Sequence, residues 1–158
     1  MSPVVRVPGP GPLAGLDPGL SKCGLVLTDP ERQQIVIAGV LPPEQALELL
    51  GCWQGGVGLA AVVLGNGTGS GFWQQRLEPG LLVLPVEERG STLAARERYW
   101  QLHPARGWRR LLPRGLRQPP RDWDDVVAQL LLERWLGHPL IRPQSLIALQ
   151  KLARTVKA

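Results

Sequence analysis

One stretch constrains this chain more than any other. It is an apolar run that ends in a single carboxylate, reverses through Pro-Gly and resumes as a second apolar run: Leu13-Ala14-Gly15-Leu16-Asp17-Pro18-Gly19-Leu20-Ser21-Lys22-Cys23-Gly24-Leu25-Val26-Leu27. Pro presets φ and Gly accepts positive φ, so the two runs are predicted to pair as a β-hairpin with Asp17 where the first strand ends. A carboxylate there is costly unless water, a cation or a donor satisfies it. By spacing alone the ordinary outcome is a solvated turn former, and a bound cation is the alternative.

The remaining pattern extends the hairpin into an α/β domain. Strands are predicted at Leu13–Leu16, Cys23–Thr28 and Gln34–Val40, followed by a helix opened by Pro42-Pro43-Glu44 with Leu47, Leu50 and Trp53 at helical spacing. Leu59–Leu64 is apolar without alternation, as in a strand covered on both faces, and Leu81–Val86 is a second such run. Helices are expected over Phe72–Leu77, from Ser91 or Thr92 to about His103, and from Asp122 or Trp123 to Leu136, the last ended by Gly137. Pro143–Val156 places Leu146, Leu149, Leu152 and Val156 on one side of a further amphipathic helix. The expected organisation is a flexible leader over 1–12, one domain over 13–137 and a helical extension over 138–158. Three strands, helix, strand, helix, strand, helix, helix is an α/β order with a mixed sheet.

The 158 residues with 44% hydrophobic content suit one compact domain. Cys23 and Cys52 are too few for a disulfide scaffold and lack metal-motif spacing; both are expected to be small core residues in a reducing cytoplasm. No signal-peptide pattern opens the chain, and the apolar run at Leu59–Leu64 is too short to span a bilayer, so no membrane partner is expected. The net charge of +5 favours polyanionic partners.

Two further acidic places stand out. Val86-Glu87-Glu88-Arg89-Gly90-Ser91-Thr92 follows the fifth predicted strand, and ligands of α/β sheets gather at the carboxyl ends of strands. Asp122-Trp123-Asp124-Asp125 opens the last core helix, where carboxylates cap the helix and offset its dipole. Three acids within four residues also repel one another, and a divalent cation would relieve them. The Gly65-Asn66-Gly67-Thr68-Gly69-Ser70 loop lacks the Gly-Lys-Ser/Thr of a P-loop, but its glycines would let backbone N–H groups approach a phosphate.

Together these segments resemble the RuvC-like and YqgF-like nucleases of the ribonuclease H fold. Gly15-Leu16-Asp17-Pro18-Gly19, continuing to Gly24, is similar to the G-x-D-x-G-x-x-x-x-G opening, whose aspartate is a metal ligand. Glu87-Glu88-Arg89 through Thr92 resembles the D-E-R-x-[ST]-[ST] motif of the YqgF-like branch, with the family's glutamate on Glu88 and Glu87 in place of its aspartate. The D-x-x-A-A helix start aligns best with its aspartate on Asp124; a slip of one residue would use Asp125, and RuvC resolvases carry two aspartates here. The Gly-Asn-Gly-Thr string resembles the loop of the YqgF-like domain in Tex transcription factors. RuvC resolvases instead place a glutamate near the end of that strand, where this chain has Gly65 and Asn66. The resemblance spans about Leu13 to Leu136 and implies a ribonuclease H-like mixed sheet flanked by helices. It also implies Asp17, Glu88 and Asp124, with Asp125 as a further ligand, holding Mg²⁺ or Mn²⁺, the hard cations that an all-oxygen set suits.

Between Arg96 and Arg121 lie eight arginines and one acid, Glu97, with Trp100, Trp108 and Trp123 nearby. Such a surface is ordinarily a solvated face, but arginine matches phosphate geometry and tryptophan can stack on unpaired bases. The expected nucleic-acid contacts are Arg96, Arg109, Arg110, Arg114, Arg117 and Arg121, with Asn66 and Thr68 in the glycine loop. Two functions follow from the resemblance. One is a metal-dependent endonuclease acting on structured nucleic acid, as a Holliday junction resolvase or a nuclease processing precursor ribosomal RNA. The other is a non-catalytic nucleic-acid-binding module. The C-terminal helix also offers a surface for a homodimer.

Overall fold

A computed structural model describes residues 6–67, 69–113, 116 and 122–149. The predicted hairpin forms as β1 (Leu13–Asp17) and β2 (Cys23–Thr28), followed by β3 (Ile35–Leu41), α1 (Pro43–Gly56), β4 (Ala61–Gly65), α2 (Ser70–Leu77) and β5 (Val83–Val86). Then come α3 (Ser91–Leu102), a short 3-10 helix over Gly107–Leu111, α4 (Asp124–Leu136) and β6 (Ile147–Ala148). The sheet order is β5-β4-β1-β2-β3-β6. β2 runs antiparallel to β1 and β3, while β4 is parallel to β1 and β5 to β4. A meander of three strands extended by parallel crossover strands is the mixed α/β sheet expected from the sequence.

The alternation of side chains along each strand divides the core between the two faces. Leu16, Leu25, Val62 and Leu64 pack with Leu50 and Trp53 of α1 and Trp73 of α2 on one face. Leu13, Val26, Ala61 and Val63 pack with Ala128 and Leu132 of α4 on the other. Each fully buried leucine in these layers stabilises the fold by about 1.5–3 kcal/mol relative to exposure. α3 covers α4 from outside through Ala95 and Tyr99 against Val126, Val127 and Leu131. α4 lies close to the sheet because Gly15 offers no side chain where the Ala128 carbonyl and Leu132 come down. It stops at Gly137, whose φ of 80° is left-handed and cheap for glycine.

Two expectations need correction, the C-terminal helix and the burial of Cys52. The helix expected over Pro143–Val156 is not what the described part forms: Ile147 and Ala148 pair parallel with Ile37 and Ala38 as a sixth strand. The outer edge of β3 would otherwise present unpaired backbone groups. Pairing there begins upstream, where the Ile35 N–H donates to the Ile141 carbonyl at 2.8 Å. Extended backbone also sends Leu146 and Leu149 into opposite core layers, which a helix would not do; residues 150–158 lie outside the described residues. Cys23 is buried, but Cys52 is exposed on α1. In the expected leader, Pro8 is buried, the Gly11 carbonyl accepts from Arg32 Nε at 3.0 Å, and the Gly9 carbonyl accepts from the same guanidinium. Among the described residues, no helix is long and apolar enough to cross a membrane.

Candidate active site

The strand register brings the acids toward one another. Asp17 ends β1 on the α4 face, two residues beyond Gly15, and pairs across the hairpin with Gly24. On its other side Leu16 aligns with Leu64 of β4, so the next residue, Gly65, stands beside Asp17 one strand spacing away, about 4.8 Å. Asp17 thus sits between two glycines. A Cβ on Gly24 would overlap the Asp124 backbone carbonyl, and a Cβ on Gly65 would overlap the Glu88 carboxylate. The missing side chains let the start of α4 approach from one side and Glu88 from the other.

Glu88 is held from several directions. Its backbone N–H donates to Asn66 Oδ1 at 3.2 Å, and its carbonyl accepts the Ser91 N–H at 2.8 Å. The Gly67 N–H donates to its carboxylate, and a Cβ on Gly67 would occupy the same space as that carboxylate. The glycine loop, expected to cradle a phosphate, here cradles a glutamate. Asn66, expected among nucleic-acid contacts, spends its side-chain oxygen on fixing Glu88. Among the described residues, Glu88 Oε1 is the buried side-chain oxygen with no hydrogen-bond partner.

The electrostatics record the crowding. Burial, then the charges of Asp124 and Glu88, push the Asp17 carboxyl up to about 7. Burial raises Glu88, partly offset by the Gly67 N–H. Burial also raises Asp124, with Lys22 acting against it and Asp122 and Asp125 reinforcing it. The neighbouring Cys23 thiol is pushed up to about 12 by burial and by Asp17 and Asp124, so it stays protonated. Lys22, in the hairpin turn, pairs with Asp122 and lies 3.9 Å from Asp124 Oδ2. Sequence reading missed this lysine, although a cation five residues after Asp17 in a tight turn was visible.

The neighbouring acids behave differently. Asp125 is 2% exposed and paired with Arg142. Residues 124 and 125 project about 100° apart around the helix, which separates Asp125 from the direction Asp124 takes. Glu87 is exposed, and its backbone carbonyl accepts from Arg134 Nη1 at 2.7 Å.

Among the described residues, no group of three or more His, Cys, Asp or Glu side chains stands at a spacing that closes around a metal ion. Asp17, Asp124 and Glu88 interact through space without enclosing one point. A shared cage is not what Mg²⁺ requires, because it usually takes one or two carboxylates and completes its octahedron with water and substrate phosphates. Three acids with raised affinity for protons, one bearing a buried unpartnered oxygen, are chemically suited to such an ion.

The arginine segment is only partly displayed. Arg96 is half-buried on α3, and Arg98 is committed to Glu133 through two bonds of 3.1 and 2.9 Å. Arg109 and Arg110 lie on the 3-10 helix, with the Arg109 guanidinium 5.2 Å from the ring centre of exposed Trp108. Trp100 packs edge-on against Tyr99, and Trp123 packs against the same α3–α4 cluster. Arg114, Arg117, Arg121 and Thr68 lie outside the described residues.

No family model and no curated protein matches this chain. Among solved structures, the chain is similar to Thermus thermophilus RuvC in complex with a Holliday junction substrate, at 18% identity and a TM-score of 0.44, over 80% of this chain and 94% of that one. A second Thermus thermophilus RuvC structure is similar at 17% identity and a TM-score of 0.41, over 80% and 96%.

Proposed function

We propose that this chain is a divalent-metal-dependent endonuclease acting on structured nucleic acid, either branched DNA or precursor ribosomal RNA, in the cytoplasm. The observation that carries the reading is Glu88: a glycine cradle holds its carboxylate one strand away from the Asp17 end of β1, with one oxygen buried and unpartnered among the described residues. A purely structural acid in that place would have both carboxylate oxygens satisfied, whereas here the Gly67 N–H serves the carboxylate and Oε1 is left without a partner. The motif resemblance to YqgF-like nucleases supports the same three positions independently of geometry.

In this reading Asp17, Glu88 and Asp124 hold Mg²⁺ or Mn²⁺, which when bound activates water and stabilises charge on a phosphodiester. Asp17 supplies the central carboxylate, Asn66 and Gly67 orient Glu88, and Lys22 restrains Asp124 until a stronger cation competes for it. Arg96, Arg109 and Arg110, together with Arg114, Arg117 and Arg121, hold backbone phosphates. Asp125 belongs to the fold through Arg142 rather than to the metal set.

A second reading keeps nucleic-acid binding without turnover. It is favoured by Gly65 and Asn66 at the end of β4, where RuvC resolvases carry a glutamate, and by the Lys22–Asp124 contact. Full-length protein incubated with Mg²⁺ or Mn²⁺ and end-labelled four-way DNA junctions or precursor ribosomal RNA separates the two. Metal-dependent cleavage products are expected. Binding of both substrates without any cut under either metal would replace the nuclease reading by the binding module.

A further inference from the structure

The last turn of α3 and the 3-10 helix enclose a cavity of about 520 Å³ lined in part by Tyr99, Trp100, His103, Pro104, Arg106 and Arg109. That volume falls among pockets that take small organic ligands, about 300–1,000 Å³. Tyr99 is buried at its floor, with Trp100 edge-on at 5.3 Å and His103 tilted at 4.9 Å between ring centres. The rings are therefore set before any ligand arrives. Arg106 and Arg109 stand at the rim, and beside them Trp108 is 64% exposed under the Arg109 guanidinium.

Charge narrows the occupant. None of the described residues lining this cavity is acidic, and the sequence carries no acid from Arg98 to Arg121. Cations are disfavoured, and a purely aliphatic ligand would leave the guanidiniums without a counterpart. Flat rings bordered by arginine complement a flat heterocycle attached to an anion. Inside a duplex both faces of a base are covered by its neighbours, so a concave site of this kind admits a base only when it is unstacked.

We propose that this cavity receives one unpaired nucleobase of a nucleic-acid strand, stacked against Trp100 and His103, with an adjoining phosphate on Arg106 and Arg109. The proposal rests on the nucleic-acid reading above and extends it from backbone contacts to a preference for an unpaired segment. A second cavity shares Leu102, His103 and Gln144 with this one and reaches Asp125, the residue after Asp124. The base site thus adjoins the same end of α4 as the acidic centre.

The test uses full-length protein in EDTA and two fluorescein-labelled 15-mers of equal charge, oligothymidylate and an abasic backbone. Fluorescence anisotropy is expected to give a Kd at least about fivefold lower for the base-bearing strand, the effect of stacking one base. In His103→Ala/Arg109→Ala, the ratio of the two Kd values should collapse toward one. Arg76→Ala on α2, outside the cavity, should keep it. A wild-type ratio of one, or a ratio unchanged in the double variant, would overturn the base site while leaving phosphate binding intact. Thymidine 5′-phosphate binding as tightly as the oligomer would make this a free-nucleotide site and overturn the strand reading. Binding of neither oligomer nor of a four-way junction would overturn the nucleic-acid reading itself.

Discussion

α4 carries buried acids in two settings, and the difference between them separates architecture from chemistry. Along its body each acid has a cationic partner. Asp125 is paired with Arg142, which also donates to Gln129 Oε1 at 2.9 Å. Glu133 takes two bonds from Arg98, one from Gln129 at 3.2 Å and one from the Leu140 N–H at 2.9 Å. At the N-terminus, Asp124 and Glu88 instead both press their charge on Asp17. The cation beside them among the described residues is Lys22, 3.9 Å from Asp124 and already paired with Asp122, and Glu88 keeps a buried oxygen without a donor. A satisfied buried charge holds a fold in register, whereas clustered unsatisfied charges lower stability unless something binds them.

The comparison breaks most readily at Asp17. Asp17→Asn keeps shape and removes the charge that would hold a hard cation, so cleavage should fall by at least about a thousandfold, equivalent to about 4 kcal/mol of barrier. Nucleic-acid affinity should be unchanged or slightly tighter, as measured on the same labelled substrates. If Asp17→Asn cuts as fast as wild type, the acidic centre is not the site of chemistry.

Arg142→Ala should show the opposite pattern. Removing the guanidinium from buried Asp125 is expected to cost about 3–5 kcal/mol of stability, read by urea denaturation. The folded fraction should retain its cleavage rate. A variant that melts like wild type but loses cleavage would move Asp125 into the active centre.

The pH dependence of stability sharpens the contrast. With the Asp17 carboxyl held near 7 when folded, against 3.8 ordinarily, the metal-free folded chain keeps a proton that the unfolded chain releases. Stability should therefore be highest at about pH 4, fall as pH rises toward 7 and level off above it. The contribution is at most about 4 kcal/mol at 1.36 kcal/mol per unit. Asp17→Asn should flatten this slope and make the metal-free protein at pH 8 at least as stable as wild type. Melting curves across pH in EDTA would refute the electrostatic picture if the two proteins ran parallel.

Gly65→Ala asks whether the cradle matters. Its new Cβ would displace the Glu88 carboxylate, so cleavage should drop about a hundredfold, or about 2.7 kcal/mol of barrier, as read in single-turnover assays. An unchanged rate would remove Glu88 from the metal set. The smallest effect belongs to the basic surface. Arg109→Ala/Arg110→Ala should flatten the log–log salt dependence of duplex binding by about 0.9 for each phosphate that is no longer neutralised. An unchanged slope would place the phosphate-binding face elsewhere.

The sequence by itself determined the hairpin, the α/β order and the three acidic places, because these follow from local chemistry: Pro-Gly reverses a chain, apolar runs bury, and carboxylates stay at strand ends and helix starts. Only the tertiary structure sets Asp124 and Asp125 apart, since Asp125 is paired with Arg142, seventeen residues further along the chain and delivered by the loop after α4. Tertiary structure also turned Ile147 and Ala148 into a strand, because the open edge of β3 outweighed a helical period in the sequence. The roles of Gly24 and Gly65 were equally hidden. A glycine's place in a string does not tell whether its missing side chain leaves room for a phosphate, a helix or a carboxylate, and here cross-strand register assigned the last two.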